Sequence, residues 1–159
     1  MIVSDAGPLI IFARLGRLSL LRDVSGPLTI PYAVSAEIMA NQGTMPGAAE
    51  IAHADWIVRE RIADESLLLS LPGRLHEGER EAIALASKLN AQLLIDEIRG
   101  RGIAIRLGIE VIGSLRILAE AKRIGIVENV APVLAEMRSD GYRIDHDLIR
   151  RFLDAMKEE

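Results

Sequence analysis

The sequence contains no cysteine, so disulfide bonds and thiolate metal sites are excluded, and any bound metal must use oxygen or imidazole ligands. Only 3% of the residues are aromatic, so Leu, Ile, Val and Ala have to build the core. No apolar run approaches the roughly 20 residues that span a bilayer, and no basic segment precedes an apolar stretch at the start. We therefore expect a soluble, cytoplasmic protein without membrane contacts.

Basic residues are outnumbered, and the formal net charge is −4. This balance argues against tight nonspecific nucleic-acid binding, because neutralising phosphates requires a positive surface. A nucleic-acid function would have to depend on local basic groups, for which solvated helix faces are the ordinary explanation. Three such groups are present: Arg14, Arg17 and Arg22; Arg99, Arg101 and Arg106; and Arg116, Lys122 and Arg123.

Strand-like and helix-like segments alternate along the 159 residues, which predicts an α/β fold with a mainly parallel sheet covered by helices on both faces. The length and the 50% hydrophobic content suit one domain over residues 1–159. Strands are predicted at 2–4, 28–30, 56–58, 92–95 and 110–112, and helices at 8–24 (broken near Gly16), 32–40, 47–54, 62–70, 76–90, 99–107, 114–123, 127–138 and 145–157. The last two helices, at about 127–157, form a C-terminal hairpin that packs on or extends the domain.

Four acids lie at junctions between these elements. Asp5 and Asp96 follow apolar strands, whereas Glu37 and Glu81 border the apolar stripes of helices. Ligands of open parallel sheets bind beyond the carboxyl ends of the strands, where these acids would meet. Two carboxylates 4 Å apart repel by about 4 kcal/mol at an effective dielectric of about 20, so a bound cation is the expected reason for such a cluster.

Each acid also has an ordinary structural explanation. Asp commonly caps helices, and Glu on a short helix is usually solvated. Acids in a first helical turn complement the helix dipole, which explains Glu77 and Glu79 better than Glu81. Two strands that both end in Asp nevertheless favour a shared site.

The oxygen-only ligand set indicates Mg²⁺ or Mn²⁺, which prefer carboxylates and water. Such ions can activate water and stabilise the leaving oxygen during phosphodiester cleavage. The three histidines, His53, His76 and His146, have no ligand spacing. The sequence also lacks the GxxxxGK phosphate loop, the GxSxG elbow and the His-Glu-x-x-His helix motif.

The residues resemble those of the PIN-domain family of metal-dependent ribonucleases, and especially small prokaryotic PIN proteins related to VapC toxins. The resemblance extends along nearly the whole chain, in a specific order and spacing. It consists of VSDAGPLI at 3–10, Ile30-Pro31 followed by Glu37, LHEGEREAIALA at 75–86, LIDE at 94–97, Arg101 with Ala104, Leu107-Gly108, and VIGSL at 111–115.

This resemblance implies a three-layer α/β/α fold and an endoribonuclease that uses Mg²⁺ or Mn²⁺ to hydrolyse RNA phosphodiester bonds. Asp5, Glu37, Glu81 and Asp96 match the catalytic, metal-binding positions of the family. Glu81 stands where the VapC proteins more often have Asp, so Glu79 competes with it for the role. For substrate phosphate or bound water the candidates are Ser114, Arg101 and Glu97; for Ser114 and Glu97 a cap or a surface position is the alternative.

The resemblance also implies partners. A VapC-like protein would be the toxin of a toxin-antitoxin pair, held inactive by a cognate antitoxin protein, and family members often form homodimers. Apolar residues at 9–12 or on the terminal helices could serve such contacts, although burial in the core is the more ordinary use.

Two other functions remain open. A non-catalytic PIN-like module would bind RNA or a protein without cleaving, in keeping with the acidic net charge and the Glu at position 81. A receiver-type phosphoacceptor domain also places acids at strand ends, but it usually starts with adjacent acids and carries a late Lys. Here a single Asp follows Ser4, and no Lys ends the strand predicted at 110–112.

Overall fold

The fold is taken from a computed structural model that describes residues 1–40, 43–62 and 65–159. Within these residues the sheet has five strands in the order β3-β2-β1-β4-β5, and every pairing is parallel. The strands are β1 (Ile2–Ser4), β2 (Leu28–Pro31), β3 (Ile57–Glu60), β4 (Gln92–Leu94) and β5 (Val111–Ile112). All five predicted strands are therefore present.

Helices cover both faces of the sheet, which confirms the predicted three-layer α/β/α architecture. They are α1 (Ala6–Arg14), α2 (Leu18–Ser25), α3 (Tyr32–Ala40), α4 (Ala48–His53), α5 (Ser66–Ser70), α6 (Glu77–Leu89), α7 (Ile98–Arg106), α8 (Ser114–Arg123), α9 (Ala131–Ser139) and α10 (His146–Ala155). Of the helix predicted at 62–70, residues 63–64 lie outside the described part, and α5 covers its end.

The core is divided by the sheet because successive strand residues point to opposite faces. Leu93 and Ile95 pack with α6 and α7, whereas Leu94 between them packs with α1, α2 and the C-terminal helices. Apolar residues on both sides of the same strand explain why the segment 92–95 is almost continuously hydrophobic, as buried parallel strands are.

The apolar residues at 9–12 belong to the core. Leu9 and Phe12 are fully buried, Ile11 is buried, and Ile10 packs against the same cluster. This helix face is therefore not a free surface for a partner.

The C-terminal hairpin differs most from the prediction at its start, since α9 begins at Ala131 and not at 127. The start is fixed by Glu158, whose carboxylate accepts hydrogen bonds from the N–H groups of Val130 (3.0 Å) and Ala131 (2.9 Å) and pairs with Lys122 at 2.6 Å. A distant acid thus satisfies the first amides of the helix, which have no partner inside it.

Two bidentate ion pairs attach the end of α9 to the end of α1 and to the turn between α1 and α2. Arg14 pairs with Asp140, and Arg17 pairs with Glu136. Met137 and Ile149, one from each helix of the hairpin, are buried in the same hydrophobic cluster as α1. The hairpin therefore packs on the domain near the first helix.

The strand order argues against a receiver-type domain. Receiver domains use the order 2-1-3-4-5, whereas here the order is 3-2-1-4-5. The described residues include no helix with the length and apolar character needed to cross a membrane.

Candidate active site

The candidate site lies where the sheet reverses its order of winding, between β1 and β4. The chain continues from β1 to β2 on one side, while β4 pairs with β1 on the other side, and Ser4 is in register with Leu94. The N–H of Asp5 donates to the carbonyl of Leu94 at 2.9 Å. Asp5 and Asp96 therefore leave neighbouring strands at the same edge, where parallel sheets bind ligands.

Asp5 is buried in a way that helix capping does not explain. It occupies the position before α1, yet its side chain makes no capping hydrogen bond, and the residue is only 7% exposed. The pKa of Asp5 is raised from 3.8 to about 7, mainly by burial and also by the charges of Glu79, Glu37 and Asp96, while the N–H of Ala6 opposes the rise. A buried carboxyl among acids is the environment in which a cation would be most stabilising.

Gly78 on α6 allows the close approach of two of the acids. A Cβ atom at this position would stand 2.9 Å from Oε2 of Glu37 and 3.9 Å from Oδ1 of Asp5. Both carboxylates thus border the space above a residue without a side chain. Glu37, which sequence analysis placed at the edge of the apolar stripe of α3, is exposed and reaches across to α6.

Glu79 is the acid of α6 that belongs electrostatically to this group. It is 9% exposed, and its pKa is raised by burial first and then by the charges of Glu97 and Glu37. Among the neighbouring carboxylates, Glu79 raises the pKa of Asp5 the most. Glu79 was only the competing candidate in the sequence.

Glu81 is the other acid of α6 that the sequence offers for the site. It accepts a hydrogen bond from the N–H of Ala33 at 3.4 Å, and its pKa is raised by burial and by the charges of Glu77 and Glu65. It shares with Glu37 and Gly78 the lining of a surface groove of about 710 Å³. Glu81 thus lies beside the candidate site, although its strongest electrostatic neighbours are acids outside it.

Both oxygens of Asp96 are held by hydrogen-bond donors. The N–H of Ser114 donates to Oδ1 at 2.8 Å, and its hydroxyl donates to Oδ2 at 2.5 Å. The hydroxyl of Tyr142 also donates to Oδ1, at a longer 3.3 Å. Burial, and then the charge and the hydrogen bond of Asp96, raise the pKa of Tyr142, so this phenol stays protonated.

Ser114 and Glu97 make different contacts in the structure. Ser114 is the first residue of α8, and Gly113 occupies the cap position, so the capping alternative for Ser114 is wrong. Glu97 is the cap of α7 and accepts from the N–H groups of Arg99 (3.1 Å) and Gly100 (2.7 Å). The structure thus gives Glu97 a structural use and directs Ser114 to Asp96.

Arg101 lies beside Asp96 at the edge of the sheet. Its Nη1 donates to the carbonyl of Ile95 at 2.8 Å. A Cβ atom at Gly113 would stand 2.8 Å from that nitrogen and 3.0 Å from Oδ1 of Asp96. Gly113 therefore leaves room for the guanidinium group of Arg101 and the carboxylate of Asp96 to lie close to the backbone.

The acids are arranged as an open group and not as a closed cage. In the ranges 1–40, 43–62 and 65–159, no three Asp, Glu or His side chains stand close enough to hold one ion. Mg²⁺ typically keeps several waters and binds one or two carboxylates together with substrate phosphate. Asp5 is buried, makes no capping hydrogen bond and lies near Asp96, so its carboxylate fits a hydrated ion of this kind. Glu37 and Glu79 are close enough to influence the charge at this position.

Tyr142 was not among the candidate residues predicted from the sequence, and it lies in the turn between α9 and α10. The residue is 46 positions from Asp96, and no spacing rule connects a turn in the C-terminal hairpin with a strand end. Its one visible sign is that it is a tyrosine in a chain with only two.

Parallel strands, helices on both faces and acids at the switch point define a class of α/β proteins whose sites form at the edge of the sheet. Residues 1–158 match the family model described as PIN domain, and the chain belongs to the PIN-domain family. The resemblance seen in the sequence is confirmed at this level, while membership of the VapC-like branch stays a prediction.

The fold is similar to that of a PilT N-terminus domain protein from the hyperthermophilic archaeon Sulfolobus solfataricus P2. The two structures superpose with a TM-score of 0.57 at 17% sequence identity, over 76% of this chain and 93% of the archaeal chain. At this identity the likeness concerns the fold alone. No curated protein matches the chain. PIN domains are generally nucleases and commonly use divalent metals, so the family supports a nuclease-type module and suggests RNA binding.

Proposed function

We propose that this PIN domain is an endoribonuclease that hydrolyses RNA phosphodiester bonds with Mg²⁺ or Mn²⁺. The observation that supports it is the position of Asp5 and Asp96 just beyond the ends of two neighbouring strands, with Asp5 buried, without a capping hydrogen bond and close to other carboxylates. A cation at that position would offset the repulsion that otherwise makes the arrangement unfavourable.

In this proposal Asp5 and Asp96 would hold a hydrated ion, Glu37 would contact it through bound water, and an acid of α6 would complete the site. A bound divalent ion supplies Lewis-acid activation of water and stabilisation of the leaving oxygen. Glu79 accepts the proton of the attacking water, for which its raised pKa suits it. Glu81, the acid that the family pattern favours, is the alternative for this role.

Three further side chains have supporting roles. Ser114 and Tyr142 fix the orientation of the Asp96 carboxylate through their hydrogen bonds to its oxygens. Arg101 binds a substrate phosphate oxygen from its position beside Asp96. Partners that orient a metal-binding carboxylate usually affect metal affinity or activity by about 10–100-fold.

The test is cleavage of a labelled single-stranded RNA by the purified protein with Mg²⁺ or Mn²⁺ and with EDTA. We expect cleavage only with the metal, and its loss in Asp5→Asn, which keeps the size of the side chain. Asp55→Asn, at an exposed position before β3, is the matched control and should cleave as the wild type does. Metal-dependent turnover by a folded Asp5→Asn protein at the wild-type rate would reject the proposal.

A non-catalytic PIN-like module that binds RNA or a protein is the second candidate. It is favoured by the lack of three converging metal-ligating side chains in the described part of the chain. Calorimetric titration with Mn²⁺ separates the two functions. Mn²⁺ binding that is lost in Asp5→Asn supports the nuclease, whereas no Mn²⁺ binding with intact RNA affinity in EDTA supports the binding module.

We also propose, from the resemblance to VapC proteins, that the protein is a toxin paired with a cognate antitoxin and that it forms a homodimer. Induced expression should then arrest growth, and a short neighbouring reading frame should relieve the arrest. The Asp5→Asn protein should be harmless in the same assay. Light scattering of the purified protein measures whether it dimerises.

A further inference from the structure

The C-terminal hairpin carries a positively charged surface groove next to the candidate active site. The groove has a volume of about 560 Å³, and the polar side chains that line it are Arg138, Ser139, Tyr142 and Arg143. It lies at the end of α9 and in the turn before α10. Tyr142 belongs both to the lining of the groove and, through its hydroxyl, to the surroundings of Asp96.

The positive charge of this groove is not cancelled locally. The four acids between positions 136 and 147 are each engaged elsewhere: Glu136 with Arg17, Asp140 with Arg14, Asp145 with the first N–H groups of α10, and Asp147 with Arg150. Arg138 and Arg143 are exposed, and neither forms an ion pair with any acid in the described ranges. Two guanidinium groups are thus available to a ligand on a protein whose net charge is −4.

An anionic substrate needs such a local surface here. The candidate site is itself rich in carboxylates, and these repel RNA phosphates unless neighbouring cations compensate for them. Arginine binds phosphate oxygens through paired N–H donors, and tyrosine offers a flat face on which an unpaired base can stack. The groove combines both groups within contact of an acid of the site.

We propose that this groove binds the backbone of single-stranded RNA beside the scissile bond, with Arg138 and Arg143 on the phosphates and the ring of Tyr142 against a base. The proposal rests on the proposed ribonuclease function and names where its substrate is held. Tyr142 lies between the groove and the acids, because its ring lines the groove and its hydroxyl contacts Asp96.

The first experiment measures binding without cleavage. A fluorescent single-stranded RNA is titrated with the protein in EDTA, at several salt concentrations. Arg138→Gln combined with Arg143→Gln should weaken binding about tenfold, and the slope of log K against log salt should fall in magnitude by about 1.4, the loss of two phosphate contacts on a single strand.

The matched control is Lys88→Gln combined with Arg106→Gln, which removes the same charge from exposed positions at the ends of α6 and α7. We expect this control to bind like the wild type. An equal loss of RNA affinity in both double variants would show that only the net charge matters, and it would overturn the proposal. Wild-type affinity and salt slope in the groove variant would also overturn it, even if metal-dependent cleavage is demonstrated separately.

The second experiment separates the ring of Tyr142 from its hydroxyl. Tyr142→Phe keeps the ring and should bind RNA as the wild type does, while its cleavage rate falls because Asp96 loses a donor. Tyr142→Ala should also weaken RNA binding, by about five- to tenfold. An Ala variant with full affinity would refute the role of the ring.

Two remaining outcomes distinguish this inference from the proposed function. A wild-type protein that neither binds nor cleaves RNA refutes both. A groove variant that changes the oligomeric state by light scattering but keeps its RNA affinity would show that the surface contacts protein, and the inference would be wrong while the nuclease could stand.

Discussion

Ser114 donates both of its hydrogen-bonding groups to Asp96, the backbone N–H to one carboxylate oxygen and the hydroxyl to the other. Ser114 is fully buried and is the first residue of α8, so the positive end of the helix also faces this acid. Asp5, on the neighbouring strand, makes no comparable side-chain capping contact. The two acids at the switch point are therefore supported in different ways.

Ser114→Ala should leave one oxygen of Asp96 without its donor. We expect cleavage to fall by about 10–100-fold, as for other partners that orient a metal-binding side chain. The free energy of unfolding should fall by about 1–3 kcal/mol, since a hydrogen bond to a charged group is lost. Activity and urea unfolding measure the two effects. Ser70→Ala, an exposed hydroxyl that bonds only within its own helix, should change neither.

Asp5 should make the metal-free protein less stable as the pH rises. Its pKa is 3.8 ordinarily and about 7 in the fold, so across this interval the folded state keeps a proton that the unfolded state has released. Stability is therefore lost as the pH rises through this window, by up to about 4 kcal/mol at about 1.4 kcal/mol per pH unit. About 3 kcal/mol of this loss lies above pH 5, and urea unfolding in EDTA at pH 5 and pH 8 measures that part.

The control for this effect is Asp5→Asn, which has no proton to lose. The difference in the free energy of unfolding between the variant and the wild type should grow in favour of the variant from pH 5 to pH 8. Added Mg²⁺ should stabilise only the wild type at pH 8. A difference that is the same at both pH values would contradict the burial of a titrating carboxyl at Asp5.

Glu79 and Glu81 can be separated by neutral substitutions. Because Glu79 is coupled to Asp5 and Glu37, Glu79→Gln should reduce the turnover number by about 100-fold, as for loss of a general base. Glu81→Gln should have the smaller effect, since its neighbours are Glu77 and Glu65. Turnover and the Michaelis constant measured for both variants decide the assignment. The opposite ranking would return the role to Glu81.

Gly78→Ala should impair metal binding with little effect on the fold. The added methyl group would stand 2.9 Å from Oε2 of Glu37, and the end of that flexible side chain has to move away. Mn²⁺ affinity by calorimetry should fall. Gly102→Ala, on α7 with nothing within 4 Å of the added atom, is the matched control and should bind the metal normally. Replacing Gly by Ala raises helix propensity by about 1 kcal/mol in both variants, so the midpoint temperature of thermal unfolding should not fall in the control.

Much of the fold was predictable because short-range patterns determine it. The alternation of apolar segments with helical ones predicted the five strands, and β1 has the predicted bounds. The helix predicted at 76–90 is α6, with His76 at the position before its first residue and Asn90 ending it in the left-handed conformation. The convergence of Asp5 and Asp96 followed from parallel topology, since neighbouring parallel strands end at the same edge.

The remaining features depend on contacts between distant parts of the chain. The start of α9 is determined by Glu158, and Asp96 is contacted by Tyr142; neither pairing follows from local propensity. The choice between Glu79 and Glu81 depends on how α6 is rotated about its axis, which the packing of Gly78 against α3 determines. Helical periodicity alone places both acids at the border of the apolar stripe.

Glu158, near the end of the chain, contributes indirectly to the position of a residue at the candidate site. By accepting from Val130 and Ala131 and pairing with Lys122, it fastens the first turn of the helix that leads to Tyr142. Trimming the protein before this residue would leave two amides without acceptors and loosen the hairpin. If the shortened protein fails to cleave RNA, the loss of this helix anchor would explain it, because every acid of the candidate site would still be present.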